Sequence, residues 1–162
     1  MRKGFLVSGF LLISILVIAQ HDEQAAVMQP IDQLFKGMKL GDSAMVHAVF
    51  TKEISMVTVA LKEGKPVLNH ESSLKGFLVA VGTPHTEAWN EVIWDTQIQI
   101  DGNMAQAWAP YAFYVGKKFS HCGVDAFQLF KGTDGSWRIF HLAYTRQKEG
   151  CKIPEKISVQ FK

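Results

Sequence analysis

The chain predicts an α+β fold in which a strongly curved antiparallel sheet is covered on one face by about three helices. Two observations carry this. Met104 to Arg146 reads as three long strands rich in Phe, Tyr, Trp, Val and Ile, punctuated at Gly116-Lys117-Lys118 and at Gly132-Thr133-Asp134-Gly135-Ser136. Ahead of it, helical periodicity dominates: Ala25, Met28, Ile31, Leu34, Phe35 and Met38 recur at three and four between Glu23 and Leu40.

Residues 1 to 20 have the three-part layout of a secretory signal peptide, with Arg2 and Lys3, then an apolar run from Phe5 to Ala19, then the polar His21-Asp22-Glu23. Cleavage near Ala19 or Gln20 is expected, since the run is short of the ~20 apolar residues a spanning helix needs. The mature chain should then be exported, periplasmic or secreted. Removal of the segment takes two basic residues and no acidic ones, leaving 15 Lys and Arg against 15 Asp and Glu. A neutral chain without a basic run offers no electrostatic footprint for nucleic acid or, after cleavage, for an anionic membrane. Residues 21–150 form one domain's worth of chain, and 151–162 a tail.

Within the first helix, Pro30 should kink or reset the turn, and Gly41 should end it. Asp42 or Ser43 caps a second helix reaching Phe50. Ile54 to Leu61 and Pro66 to His70 read as strands around a turn at Lys62 to Lys65. Ser72 or Ser73 caps a third helix, closed by Gly82 and Pro84. Trp89 to Ile100 alternates best in its second half, placing Trp94, Thr96, Ile98 and Ile100 on one face. Asp101-Gly102-Asn103 is a hairpin turn. In the tail, a short strand is expected at Ile157 to Phe161.

His121, Gly123 and Asp125 share a strand face with Phe127 and Leu129, so a polar pair is aimed where a core should be. A bent sheet around a helix leaves a cone, and ligands favour such concavities. The candidate lining is Trp94, Trp108, Tyr111, Phe113, His121, Asp125, His141 and Tyr144, each dependent on register. His141 and Tyr144 are three apart and face opposite sides. Asp125 and His121 are the candidate catalytic groups, although roughly 13 Å of strand separates them and precludes a ready dyad. The alternative is structural, with Asp125 holding amides or pairing with Arg138 or Arg146. Trp89, Trp94, Trp108 and Trp137 suit a core or a subunit contact better than a stacking platform. No HxH, HExxH, Gly-rich phosphate loop or GxSxG elbow occurs, so no metal or cofactor is expected. Cys122 and Cys151 can bridge only if the tail folds back at Gln147 to Gly150; otherwise they are two independent thiols.

The stretches AVMQPIDQLFKGMKLGDSAMVHAVF, IDGNMAQAWAPYAFYVGKKFSHCGVDAFQLFK and GSWRIFHLAYTR, with Gly150-Cys151 following, resemble bacterial members of the nuclear-transport-factor-2-like (NTF2-like) superfamily, in its SnoaL-like or lumazine-binding-like branch. The resemblance spans nearly the whole mature chain. It implies a cone-shaped fold, a central cavity and frequently a homodimer through the sheet, but no single activity. The family's ketosteroid isomerases use a carboxylate base facing a tyrosine and a second acid. Asp125, Tyr111 and Tyr144 are residues of those types, with no motif to map them. The expected partner is a small, largely apolar molecule; an isomerase- or cyclase-like enzyme and a dimeric interaction module are the alternatives.

Overall fold

The computed structural model describes residues 8–70 and 73–162, with side chains from residue 22 onward. Residues 1–7 of the signal-peptide segment therefore lie outside the described residues. Helix α1 (Ser8–Leu40) carries Pro30 without interruption, where a kink or reset was expected. Its end is a Schellman turn: Gly41 adopts φ 68°, Asp42 N–H donates to Gly37 O, and Gly41 N–H to Met38 O. Asp42 then caps α2 (Ser43–His47), its carboxylate accepting Met45 N–H at 2.9 Å. This helix stops short of Phe50 because Phe50 already belongs to β1 (Phe50–Lys62) and pairs with Ile139.

Strand β2 (Lys65–His70) returns along β1. Helix α3 (Leu74–Gly82) follows, capped by Ser73 through Gly76 N–H. Strands β3 (Trp89–Ile93), β4 (Gln97–Asp101), β5 (Met104–Val115), β6 (Lys118–Lys131) and β7 (Trp137–Arg146) complete the sheet. Its order is β2-β1-β7-β6-β5-β3, with β4 also on β5. All pairs are antiparallel except β1 with β7, which run parallel. One parallel joint thus interrupts the expected all-antiparallel sheet, since β1 enters from the helices and meets β7 rather than a sequence neighbour.

The expected single strand from Trp89 to Ile100 is two strands. Residues 94–96 stand opposite only 109–110 of β5, a one-residue excess that acts as a bulge and includes Asp95 at φ 46°. Pro110, which has no N–H to give a ladder, sits at this break, where its carbonyl accepts Trp94 N–H. The bulge reverses facing: Ile98 and Ile100 point inward as expected, whereas upstream Trp89, Glu91 and Ile93 do.

Buried residues of α1 (Val27, Ile31, Leu34, Met38) pack on Ala105, Ala107 and Ala109 of β5, Phe127 and Leu129 of β6, and Trp137, Ile139 and Leu142 of β7. Alternating alanines on β5 leave the depth a helix needs. Glu23 fastens the helix, accepting from Lys131 Nζ at 2.7 Å and Trp137 Nε1 at 2.9 Å.

The tail forms α4 (Glu155–Ser158) and a 3₁₀ turn at Val159–Phe161, correcting the expected strand. It lies on the outer sheet face, where Phe161 stacks on Tyr114 at 3.9 Å and Ile157 is buried. Cys122 and Cys151 form a disulfide. The chain does fold back at Gln147, which bridges to Cys122. A hairpin turning tightly at Thr133 and Asp134 would put Cys122 opposite about Tyr144 or Thr145; the wider turn at Gly132–Ser136 and an irregularity at Gln128/Leu129 move the partner along the strand.

Candidate functional site

Beyond the alanine rows the helices no longer fill the concave face, and a cavity of about 360 Å³ remains. Its helical wall is Leu34, Phe35 and Met38 of α1 with Gly76, Phe77 and Ala80 of α3. The sheet contributes Met56, Trp89, Glu91, Tyr111, Phe113, His121, Asp125, Leu142, Tyr144 and Arg146. The size lies in the range of small-molecule sites, and so does the mixture of a mostly apolar wall with a few polar groups.

Of the residues singled out from sequence, Tyr111, Phe113, His121, Asp125 and Tyr144 come together here. Trp94 and Trp108 do not: Trp94 lies in the bulge, and Trp108, 52% exposed, is on the outer face. His141 is also absent from the lining. Sequence reasoning missed Glu91, Trp89 and Arg146. Glu91 was recoverable as an acid inside the apolar run WNEVI, but assigning it a face required knowing the bulge.

Glu91 and Asp125 are the central pair. They are carried by β3 and β6, which flank β5, and their side chains hydrogen-bond to each other. Two ionised carboxylates cannot do this, since neither has a hydrogen to donate. Burial first, then the neighbouring Glu91, raises Asp125 well above the usual carboxylate range. Burial raises Glu91 to about 7, opposed by the bond to Asp125 and by the Arg146 charge. The pair therefore retains a proton at neutral pH and titrates as a unit. Asp125 is 3% exposed, and no N–H or hydroxyl group reaches its Oδ2. Neither carboxyl is salt-bridged: the salt bridges among the described residues join Glu23 to Lys131 and Asp134 to Arg138.

His121 stacks on Phe113 at 4.9 Å, meets Tyr111 edge-on at 5.7 Å, and pairs through Nδ1 with Ser120 Oγ at 3.0 Å. Burial, then Arg146 and Lys148, lowers its pKa to about 4, so the imidazole is neutral and a weak base. The Tyr111 hydroxyl donates to Thr145 O at 2.8 Å, and burial holds its pKa above the ordinary phenol value. Tyr111 lies across from Gly123, where any Cβ would collide with Thr145 O. The glycine between His121 and Asp125 thus permits the close approach of Thr145 that receives Tyr111. Among the described residues no group of His, Cys, Asp and Glu is arranged to hold a metal ion.

Residues 22–145 match the model of the family described as "Putative lumazine-binding". The chain belongs to that family. The fold is NTF2-like, as solved structures agree. An NTF2-like protein of unknown function from Shewanella baltica is similar at TM-score 0.59 and 19% identity, over 79% of this chain and 96% of that one. A putative scytalone dehydratase from Novosphingobium aromaticivorans is similar at TM-score 0.64 and 10% identity, over 82% and 89%. A putative ketosteroid isomerase from Shewanella frigidimarina follows at 0.54 and 18%, over 74% and 94%. At such identities the likeness establishes the fold alone. No curated protein matches the sequence.

Proposed function

We propose that this protein is an exported ligand-binding domain whose cone holds one small, largely apolar molecule, gripped at its inner end by the Glu91–Asp125 pair. The observation that carries the reading is Asp125 Oδ2, buried at the cavity wall with no N–H or hydroxyl facing it. A buried oxygen in that condition costs free energy that a ligand donor or an acidic proton offsets. Native mass spectrometry of the purified protein, with Ala80→Phe as a variant that fills the cavity, tests it. Retention of a small molecule by the wild type and its loss in the folded variant is the expected result; equal occupancy of both contradicts the reading.

The acid pair also favours a second reading, an enzyme that moves a proton beside a carbonyl. Its carrier would be Glu91 or Asp125, since His121 is too weakly basic near neutrality. Proton exchange at the α-carbon of a cyclic ketone in deuterated buffer, abolished by Glu91→Gln, is the expected outcome; exchange no faster than in buffer alone rejects it. A homodimer through the outer face, where Met104, Trp108 and Phe130 are exposed, is consistent with either reading.

A further inference from the structure

The carboxyl pair is set among aromatic rings. Glu91 is two residues from Trp89 on the same face of β3 and directly across from Phe113, while Asp125 is directly across from Tyr144. Ring faces attract positive charge. A buried carboxylate oxygen without a partner accepts most strongly from a charged N–H donor. Arg146 borders the same cavity from an exposed position and forms no salt bridge to either acid.

We propose that the cavity binds an ammonium ion carried on an aromatic or alicyclic body, its nitrogen donating to Asp125 Oδ2 and Glu91 and its body lying against Trp89, Phe113 and Phe77. This rests on the ligand-binding reading above and names the ligand class. Near neutral pH the empty pair, sharing one proton, carries one negative charge, which Arg146 balances. Fully ionised it carries two, and a monocation restores the same balance. The ammonium ion therefore enters as one proton leaves to solvent. The other titratable groups facing the pair are His121 on β6, a neutral imidazole in this range because burial lowers its pKa to about 4, Tyr111 on β5, whose hydroxyl burial holds above the ordinary phenol value, and Tyr144 on β7, with Lys148 lying beyond β7. The lining from α1 and α3 is apolar. The cavity has room for about a dozen non-hydrogen atoms at the ~30 Å³ a water molecule occupies.

Titration calorimetry of the whole domain with phenethylamine and its neutral counterpart 2-phenylethanol, in buffers of different ionisation enthalpy, tests this. The amine should bind roughly tenfold tighter or more. It should release protons on binding near pH 7, with affinity rising as pH rises toward neutrality. Asp125→Asn should remove the amine's advantage over the alcohol. Glu91→Gln serves as a second variant, and near-UV circular dichroism verifies that both are folded. Tighter binding of the alcohol, or amine affinity that falls as pH rises, overturns the ammonium assignment while sparing the cavity. Binding of neither compound overturns both readings.

Discussion

The two ends of the inner sheet face use the same strands differently. At one end Ala105, Ala107 and Ala109 let α1 settle between Phe127, Leu129 and Ile139, and no room is left. At the other, Tyr111 and Phe113 continue β5, Glu91 and Asp125 flank it, and the helices close over a hollow. A strand that reads small, small, small and then aromatic switches from packing a helix to walling a pocket. The filled end supplies rigidity, which lets the open end keep an acid pair, Asp125 buried and Glu91 partly so, that contributes little to stability by itself.

The largest test of that contrast is truncation at each end. Phe127→Ala, which empties a buried site facing Phe35 at 6.2 Å, should cost about 3–5 kcal/mol in denaturant unfolding. Phe113→Ala beside the existing hollow should cost only about 1 kcal/mol. Equal costs would erase the distinction. Next in size is the tail: the disulfide closes a loop of sequence separation 29, and Cys122→Ala with Cys151→Ala should remove about 3 kcal/mol while leaving the cavity intact.

Smaller, and specific to the open end, is a pH dependence. Glu91 and Asp125 hold protons to higher pH when folded than when unfolded, so their contribution is fully present below the unfolded carboxylate range. It is lost as pH rises through about 7 and beyond. His121 acts oppositely: lowered from 6.5 to about 4, it adds stability as pH rises between those values and nothing above them. The two oppose each other in mild acid, and only the acid pair acts above pH 6.5. Stability should fall as pH rises from about 5 to about 7, most steeply above 6.5 where His121 no longer opposes the acid pair, by up to ~1.4 kcal/mol per pH unit for each carboxyl. Asp125→Asn should flatten that slope; a wild-type curve that is flat or rising there contradicts the shared proton. Smallest is Trp108→Gln on the outer face, expected within about 0.5 kcal/mol of wild type. Sedimentation of this variant reports whether the outer face joins two copies.

Much of this was legible in the residues. The three long strands, the caps at Asp42 and Ser73, and the inward placement of His121 and Asp125 follow from period and turn chemistry, which are local. Glu91 was hidden because one extra residue at 94–96 reverses every side chain upstream, and no local signal marks a bulge of that kind. Trp108 was misplaced because an aromatic residue between alanines suggests burial, whereas strand alternation puts the alanines inward. The parallel pairing of β1 with β7 and the helical tail depend on contacts between distant segments.

The most direct measurement is the carboxyl ¹³C chemical shift of Asp125 and Glu91 followed by NMR across pH. A proton retained by the pair at neutral pH, with a step near 7 or above that disappears when an amine occupies the cavity, is the predicted result. Two carboxylates ionised together below pH 5 would contradict the account.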